Sequence, residues 1–533
     1  MWVSHGGRIS GEMLEYSMVD TSCKHLLVRG VNWIGDSVMT LPALKALRKG
    51  LHGTNISLLV KPWVSAVFEN NPDIDEIIPY GDMHKGFFGK IRLSRTLSRK
   101  KFCSALLLQN AFDAALLTFL AGVKKRIGYD RDGRRFLLTR AISVPSGNMH
   151  QIYYYLNLVG QIGIKAEYSY PYIYLILNER LDARMRLKEM KRPILGINPG
   201  ATYGSAKRWF PERFAEVATW FMSDTGGSVI IFGGKSEVDI ADEIYKNIIP
   251  EFRKTDTLLN VAGQTTLREL ISLISECDVF LTNDSGPLHL AYALRTPMVA
   301  IFGSTDPRLT GPPPAVESQD NALVVAPDIP CSPCFDRSCK QNDMRCMYAI
   351  TSDDVYYGIK KLLPRIPAVF FDRDGTLCQD TGYITTMNDL HIFSEIHNLK
   401  ILKEKGFKLV GISNQSGIAR GLVDTNFVQQ VNSMFINQYD FDDFSYCPHH
   451  PDEHCACRKP EPEMLLRARS RHRINLKKSF VVGDKESDML LAKSVGAKGI
   501  LVQTGILQES HHADFTAANL TEAVNWIIND SKY

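Results

Sequence analysis

Short apolar segments that end in Gly, Asn or Asp alternate with helical patterns along most of the chain, and this alternation constrains the fold most. KHLLVRG, RPILGINPG, DVFLTND and AVFFDRDGT are four such segments. Alternation of this kind is typical of βαβ units and parallel sheets. Because the polar residues fall at the carboxyl ends of the predicted strands, we expect ligands to bind there. The sequence therefore predicts an α/β protein.

The segments form three series, and a chain of 533 residues is long enough for about three domains. The second series begins at RPILGINPG, after the charged helix ERLDARMRLKEMK, and the third begins at AVFFDRDGT, after the linker PRIP. We predict an N-terminal extension, two Rossmann-like domains, a linker helix and a third Rossmann-like domain. Their predicted boundaries are residues 1–23, 24–188, 189–350, 351–366 and 367–533.

Composition and charge are those of a soluble globular protein and exclude several functional classes. The chain is 44% hydrophobic and 23% charged, and it contains no run of about 18 uncharged apolar residues that would predict a transmembrane segment. A net charge of +4 is too small to indicate nucleic acid as a partner. The first residues lack a basic segment followed by an apolar one, so we expect no signal peptide and a cytoplasmic location.

Cysteines cluster at two places, and in a reducing compartment such clusters indicate metal before disulfides. CPHHPDEHCAC has the ligand spacing of a closed structural zinc site, with a redox or chance cluster as the alternative. Its four predicted ligands are Cys447, His449, Cys455 and Cys457. CSPCFDRSCKQNDMRC could bind zinc or an iron–sulfur cluster, or could carry four reduced thiols, and the sequence leaves these alternatives open. Its cysteines are Cys331, Cys334, Cys339 and Cys346.

The third series carries acidic residues that are suited to phosphoryl transfer. AVFFDRDGT places Asp372 and Asp374 on one side of the backbone after an apolar strand. Two such carboxylates suit a divalent cation, and one can attack phosphorus while the other moves a proton. A chance turn or a calcium loop is the alternative explanation for this motif alone.

Further strand ends in this series supply groups for a phosphate. The predicted strand in KLVGISNQSG ends in Ser413 and Asn414, and CRKPEP contains Lys459. The predicted strand in SFVVGDKESDM ends in Asp484, with Asp488 four residues further on. A lysine is a compact positive charge for a phosphoryl group. Only 36 residues separate Thr376 from Ser413, which is too few for a large cap domain.

This order of motifs resembles the haloacid-dehalogenase phosphohydrolases. SNQSGIARG, CRKPEPEML and the cysteine loop are similar to its zinc-loop subgroup, which includes phosphatases of heptose 1,7-bisphosphate and of histidinol phosphate. The resemblance implies that Asp372 is the nucleophile and that Asp374 is the general acid and base. It implies that Mg²⁺ is held by Asp372, the carbonyl of Asp374 and Asp484, and that the phosphate is bound by Ser413, Asn414, Arg458 and Lys459.

The first two series contain a second set of candidate residues. VNWIGD places Asp36 at a strand-to-helix turn, where it could also simply cap the helix. AKRW places Lys207 ahead of a helix. TNDSGPLH places Asp284, Ser285 and Gly286 at a helix N-terminus, with His289 one turn further. Such N-termini favour anions, including a diphosphate.

Together these motifs resemble glycosyltransferase family 9, the lipopolysaccharide heptosyltransferases, and NWIGD and AKRW are most similar to the branch that adds the second heptose. The resemblance implies a GT-B fold, ADP-heptose as donor, inversion at the anomeric carbon, and no metal. Asp36 would be the base, and Lys207 would neutralise the leaving ADP. The implied donor-binding residues are Thr202, Lys207, Glu237, Asp284, Ser285, Gly286 and His289.

The two resemblances imply one pathway, the assembly of the lipopolysaccharide inner core. The acceptor would be heptosyl-Kdo2-lipid A, so we expect transient contact with the inner membrane. RLSRTLSRKK, residues 92–101, is a candidate contact, although a solvated helix face also explains it. The alternatives are a phosphatase of histidinol phosphate or of another small phosphate ester, a transferase for another core heptose, and a binding protein with inactive remnants.

Overall fold

The computed structural model describes residues 23–253, 256–313 and 321–531, so nearly all of the predicted extension lies outside the described residues. The chain divides into two compact units. The described part of the first unit is residues 23–32, 39–65 and 73–170. The second unit contains residues 33–38 and 66–72 and everything described from residue 171 onwards.

The first sheet has six parallel strands in the order β3-β2-β1-β4-β5-β6. The strands are β1 (His25–Arg29), β2 (Asn55–Val60), β3 (Glu76–Pro79), β4 (Ser104–Leu107), β5 (Lys125–Tyr129) and β6 (Arg140–Ile142). The helices of this region are α1 (Ile34–Gly50), α2 (Pro62–Ser65), α3 (Gly86–Arg99), α4 (Phe112–Leu120) and α5 (Gln151–Gly160). Cys23 and Cys103 form a disulfide, which the sequence analysis did not predict.

The second sheet also has six parallel strands, in the order β12-β11-β10-β7-β8-β9. The strands are β7 (Ile194–Asn198), β8 (Ser228–Ile231), β9 (Leu258–Asn260), β10 (Val279–Asn283), β11 (Met298–Ile301) and β12 (Ala322–Val325). The helices are α6 (Leu177–Arg186), α7 (Pro211–Thr225), α8 (Val238–Asn247), α9 (Pro250–Arg253), α10 (Leu267–Glu276), α11 (Gly286–Ala293), α12 (Pro307–Thr310), α13 (Arg345–Tyr348) and α14 (Ser352–Leu362).

The third sheet repeats the arrangement in the order β15-β14-β13-β16-β17-β18. The strands are β13 (Ala368–Phe371), β14 (Lys408–Asn414), β15 (Asp443–Cys447), β16 (Phe480–Gly483), β17 (Lys498–Val502) and β18 (Phe515–Ala517). The helices are α15 (Lys400–Glu404), α16 (Thr425–Tyr439), α17 (Glu463–His472), α18 (Glu486–Val495) and α19 (Leu520–Asp530).

All three sheets have the strand order of the doubly wound Rossmann fold. Their central strands are mainly apolar and are buried along their length, as in β10 and β13, because helices cover both faces of such a sheet. In each sheet the order reverses between two central strands, and ligands of doubly wound folds bind at that reversal. In the second and third sheets the reversals lie between β7 and β10 and between β13 and β16.

Within the second unit, the domain of the third sheet packs on that of the second through buried charged groups. The carboxylate of Glu276, at the end of α10, is buried and contacts Lys477 Nζ at 2.6 Å and Arg184 Nη2 at 3.0 Å. Arg184, on α6, also donates to the carbonyls of Lys493 and Ser494 at 2.8 and 3.0 Å. Because Lys477, Lys493 and Ser494 belong to the third domain, these contacts fix it to the second.

No helix in the described part of the chain combines the length and the apolar character that crossing a bilayer requires.

Candidate active sites

The third sheet brings acidic residues together at its strand reversal. Asp372 directly follows β13, and Asp484 directly follows β16, which is the neighbour of β13. Asp488 lies in the first turn of α18 and faces the same place. The carboxylate oxygens of Asp372, Asp484 and Asp488 lie within 4.8 Å of one another, and all three residues are buried. The sequence predicted the first two of these acids for one site but gave Asp488 no role.

Lys459 partly neutralises this acid cluster. Its Nζ lies 2.7 Å from Asp372 Oδ1 and 2.7 Å from Asp488 Oδ1. Burial alone would raise the pKa of Asp372, but Lys459 and Lys485 outweigh it and hold that pKa below its usual value. Asp372 is therefore an ionised carboxylate, as a nucleophile must be.

The positive charges near Asp484 and Asp488 do not compensate for the burial of these two carboxylates. Burial, aided by the charge of Asp372, raises the pKa of Asp484 to about 7. Burial also raises the pKa of Asp488 to about 6, against the effect of Lys459. Asp484 Oδ1 is buried and accepts no hydrogen bond from the described residues. A divalent cation among these oxygens would favour their charged forms, so the donor set fits a hard metal ion.

The side chain of Asp374 points to a different set of partners. Arg373 donates to its two oxygens from Nε at 2.9 Å and from Nη2 at 3.0 Å. Gln415 donates to Asp374 Oδ2 at 2.9 Å and also to the Ser413 hydroxyl at 2.6 Å. These bonds orient the predicted general acid beside the end of β14, where the sequence analysis predicted phosphate binding. The carbonyl of Asp374 as a metal ligand stays a prediction. The sequence analysis missed Arg373 and Gln415, although both lie inside the quoted motifs.

Gly375 allows the turn after Asp372 to approach the acid cluster. Its φ is +90°, a region that favours glycine, and a Cβ there would lie 2.3 Å from an oxygen of Asp484.

Asn414, at the end of β14, forms two hydrogen bonds with the backbone of Lys459. Its Oδ1 accepts from Lys459 N at 3.1 Å, and its Nδ2 donates to the Lys459 carbonyl at 3.3 Å. The strand end thus fixes the loop that delivers the lysine.

The predicted cysteine–histidine ligands form a compact group. Cys447 Sγ lies 3.4 Å from Cys455 Sγ and 3.6 Å from His449 Nδ1. Cys457 Sγ lies 3.2 Å from His449 Nδ1 and 3.6 Å from Cys455 Sγ. These separations suit four ligands around one tetrahedral ion with metal–sulfur bonds of about 2.3 Å. Cys447 ends β15, opposite Asn414 in the ladder, so the loop rises beside the acid cluster.

The other four cysteines are arranged differently. Among the described residues, no three of Cys331, Cys334, Cys339 and Cys346 bring their sulfur atoms within 4.8 Å of one another. The loop that contains these cysteines instead forms hydrogen bonds with the loop after β7. The carbonyl of Arg337 accepts from Ala206 N at 3.1 Å, and that of Phe335 accepts from the Tyr203 hydroxyl at 3.1 Å.

The second sheet places an ion pair at its own strand reversal. Asp284 follows β10 and is buried, and Lys207 Nζ donates to its Oδ2. The Thr305 hydroxyl donates to the same oxygen at 2.6 Å. The ammonium of Lys207 also lies 4.6 Å from the centre of the Tyr203 ring. The sequence analysis predicted this lysine and this aspartate but missed Thr305 and Tyr203.

Further predicted donor-site residues surround this ion pair. Ser285 precedes α11 and Gly286 begins it, and the buried His289 lies one turn inside it. A Cβ on Gly35 would lie 2.6 Å from the His289 ring, so the turn that carries Asp36 reaches the same helix end. Glu237 accepts from Gly234 N at 2.8 Å, and a Cβ on Gly200 would lie 2.0 Å from its carboxyl group. Thr202 is exposed in the loop after β7.

Comparisons with known proteins match both parts of the chain. The model of glycosyltransferase family 9 (heptosyltransferase) matches residues 90–345, and a haloacid-dehalogenase-like hydrolase model matches residues 456–525. Lipooligosaccharide heptosyltransferase 2 of Campylobacter jejuni subsp. jejuni is 31% identical over 332 residues, which are 62% of this chain and 96% of that protein. D-glycero-beta-D-manno-heptose-1,7-bisphosphate 7-phosphatase of Helicobacter pylori is 37% identical over 167 residues, 30% of this chain and 96% of that protein.

The solved structure of Escherichia coli ADP-heptose lipopolysaccharide heptosyltransferase II superposes with a TM-score of 0.55 at 25% identity, covering 63% of this chain and 98% of the other. The fold is thus a GT-B glycosyltransferase followed by a haloacid-dehalogenase-like phosphatase, which confirms the predicted fold class. The chain belongs to glycosyltransferase family 9, the heptosyltransferases, and its C-terminal part belongs to the haloacid-dehalogenase-like phosphatases.

Proposed function

We propose that the protein is a bifunctional enzyme of lipopolysaccharide inner-core synthesis. Its N-terminal part transfers L-glycero-D-manno-heptose from ADP-heptose to heptosyl-Kdo2-lipid A. Its C-terminal part removes the 7-phosphate of D-glycero-D-manno-heptose 1,7-bisphosphate. One observation carries the proposal: two complete charged sites lie on one chain, and each belongs to a part that is similar to a heptose enzyme over nearly the whole length of that relative.

In the phosphatase, the geometry supports covalent catalysis by Asp372. Its ionised carboxylate attacks phosphorus and forms an aspartyl-phosphate as the bond to the sugar oxygen breaks. Asp374, oriented by Arg373 and Gln415, donates the proton to that oxygen. It then removes a proton from the water that hydrolyses the intermediate. Lys459 lies between Asp372 and Asp488, where it can bind an equatorial phosphoryl oxygen.

Two metals complete the proposed phosphatase. Asp372, Asp484 and the Asp374 carbonyl would hold Mg²⁺, with Asp488 close by, and the bound ion would neutralise charge on the phosphoryl oxygens. Cys447, His449, Cys455 and Cys457 would hold a structural Zn²⁺. The zinc loop carries Arg458 and Lys459 directly after its last ligand, so its order positions both phosphate-binding residues.

In the transferase, the geometry supports a single displacement. Asp36 removes the proton of the acceptor hydroxyl, whose oxygen attacks the anomeric carbon from the face opposite ADP, and the bond to ADP breaks. Lys207 and the N-terminus of α11 stabilise the charge on the departing diphosphate. We expect this reaction to need no metal, because Lys207 and the N-terminus of α11 supply positive charge for the leaving group.

The exposed face of α3 supports a contact with the inner membrane. Phe88, Arg92, Arg95 and Arg99 are exposed at spacings of four, three and four residues and therefore form one stripe on the helix. The side chains of Phe87 and Phe88 are 70% and 83% exposed. Aromatic and basic residues on one exposed helix suit the surface of an anionic bilayer. We expect the enzyme to act at the cytoplasmic face, where its lipid acceptor is made.

Vesicle sedimentation tests this contact. Arg92→Ser/Arg95→Ser should reduce binding to vesicles with 30% anionic lipid by about thirtyfold, because each of the two basic side chains near such a surface contributes about 1 kcal/mol. The double variant Lys360→Ser/Lys361→Ser, on the exposed basic end of α14, is the control. Equal binding by both variants and the wild type would remove α3 as the contact.

Phosphate release with Mg²⁺ tests the function most directly. The substrates are D-glycero-β-D-manno-heptose 1,7-bisphosphate and, as competitor, histidinol phosphate. Strong preference for the heptose supports the phosphatase half and the shared pathway. Preference for histidinol phosphate, or no release from either, would contradict it, and the transferase would then need its own test with ADP-heptose.

A further inference from the structure

A cleft of about 460 Å³ lies where the zinc loop of the phosphatase meets a segment that precedes the second sheet. Tyr174, Leu175 and Ile176 line it on one side, and Arg458 and Lys459 line it on the other. Lys459 is the lysine whose Nζ contacts the nucleophile Asp372 at 2.7 Å. The cleft therefore adjoins the phosphatase site, although five of its lining residues, Asn70, Pro72 and Tyr174–Ile176, come from the transferase part of the chain.

The transferase segment is firmly held against the phosphatase. Tyr172 is buried in the apolar core that the phosphatase builds around β13 and α17, and its hydroxyl lies 3.4 Å from the carboxylate of Glu461. The ring of Tyr174 packs on that of Tyr172 with centroids 4.9 Å apart. The guanidinium of Arg268, on α10, donates to the carbonyl of Tyr174 from the transferase side. The wall is thus anchored from both domains.

The lining of the cleft combines a cation with an apolar surface. Arg458 Nη1 is buried and has no hydrogen-bond partner among the described residues, so it can donate to a ligand. Across the cleft, the Ile176 side chain is 49% exposed. A guanidinium that faces aromatic and aliphatic groups suits a sugar that carries an anionic group.

We propose that the transferase segment Tyr174–Ile176 forms one wall of the phosphatase substrate site and selects sugar phosphates that carry a second anionic group. The reacting phosphate lies at Asp372, and the remote part of the substrate extends into the cleft toward Arg458. The phosphatase has only 36 residues between Thr376 and Ser413 and so no large cap of its own. The transferase supplies the missing wall. This inference rests on the proposed phosphatase function.

Ile176 allows a charge to be placed in the wall with little risk to the fold. It occupies the N-cap position of α6, where Asp and Asn are both favourable. Ile176→Asp and Ile176→Asn differ only in charge, so their comparison isolates electrostatics from shape. Met185→Asp is the matched control, since Met185 is a 65% exposed apolar residue near the other end of the same helix and does not line the cleft.

The experiment measures KM and kcat of the full chain with the heptose bisphosphate and with p-nitrophenyl phosphate, which carries one phosphate. Ile176→Asp should raise KM for the bisphosphate about tenfold over Ile176→Asn, because one added negative charge repels the second phosphate. KM for p-nitrophenyl phosphate should change less than twofold. Met185→Asp should resemble the wild type with both substrates.

Two results would overturn the inference. One is an unchanged KM for the bisphosphate in Ile176→Asp, and the other is an equal change for both substrates, since the residue would then act on the reacting centre or on the fold. If the wild type does not prefer the bisphosphate, the proposed function fails instead. In that case the role of the Tyr174–Ile176 wall is tested by measuring KM of the same variants with the sugar phosphate that the wild type hydrolyses fastest. The same two results would contradict that role.

Discussion

The second and third sheets have the same strand order and place a lysine against an aspartate at the same reversal, but the charges around the two pairs differ. In the transferase, Lys207 binds Asp284, and the N-terminus of α11 adds partial positive charge. In the phosphatase, Lys459 and Lys485 face Asp372, Asp484 and Asp488 together with Asp380. In the first site the lysine balances the aspartate and the helix adds partial positive charge that suits a diphosphate, while in the second site four carboxylates face two lysines, a negative excess that suits a cation.

The largest expected effect is the loss of one activity, and not of the other, when a single aspartate is replaced. Asp372→Asn should lower phosphatase kcat by about 10⁴-fold or more, because it removes the proposed nucleophile, and should leave heptosyl transfer unchanged. Asp36→Asn should do the reverse. Both activities are measured on both purified variants. Loss of both activities from one substitution would show that the sites are not independent, provided that circular dichroism shows a folded protein.

Removal of divalent cations should affect only the negative site. EDTA treatment should lower phosphatase activity by about 10² to 10³-fold, because a bound cation contributes several kcal/mol of charge stabilisation. Transferase activity in the same sample should change less than twofold. Restoration by Mg²⁺ but not by Na⁺ at equal ionic strength is the control. A transferase that loses its activity with EDTA would break the proposed contrast in charge.

A substitution at the contact between the second and third domains tests how much the buried ion cluster stabilises the protein. Glu276→Gln should lower the free energy of unfolding by about 3 kcal/mol, because Lys477, Arg184 and Arg192 would lose a buried counter-charge. Denaturation by urea measures this loss, with the exposed Glu243→Gln as control. A loss under about 1 kcal/mol would show that the buried ion cluster adds little net stability.

The same carboxylate makes this interface sensitive to acid. Burial opposes ionisation of Glu276, but Lys477 and the arginines outweigh it and hold its pKa well below the usual value of 4.5. Because the folded pKa is depressed, the stabilisation is fully present above about pH 4.5 and is lost as the pH falls through the folded value. Wild type and Glu276→Gln should therefore converge in stability as the pH is lowered below 4.5.

The smallest expected effect concerns the hydrogen bond from Thr305 to Asp284, the aspartate that pairs with Lys207 in the transferase. Thr305→Val should lower the transferase kcat/KM by about fivefold to tenfold, because one hydrogen bond to Asp284 is worth about 1 kcal/mol and the aspartate would shift against Lys207. Phosphatase kinetics should not change. Thr305→Ser, which keeps the hydroxyl, should restore most of the activity, and a failure to do so would indicate a packing role.

The sequence predicted the elements that depend on local patterning. Apolar strands that end in polar residues predicted three parallel sheets and the positions of Asp372, Asp284 and Asp484, because alternation and strand ends are local properties. The spacing of CPHHPDEHCAC predicted a four-ligand group that the structure brings together. The roles assigned to single residues remain predictions.

What the sequence could not predict depends on contacts between distant segments. Thr305 reaches Asp284 only because β11 pairs with β10, and Asp488 joins the acid cluster only through the direction of α18. The sequence analysis noted Asp488 beside Asp484, but spacing alone does not show that its side chain turns toward Lys459. The burial of Tyr172 in the phosphatase core joins distant parts of the chain, since its partner Glu461 is 289 positions away in sequence, and no periodicity in its own segment indicates that partner.

Tyr172 also has a consequence for synthesis on the ribosome. The transferase part emerges first, with Tyr172 and the carboxylate of Glu276 made long before the helices that cover them. Domains generally fold in order of emergence, so the nascent chain presents an incomplete apolar and charged surface until the last third is released. The phosphatase then folds on a template that is already in place, and cells necessarily produce the two activities in equal numbers.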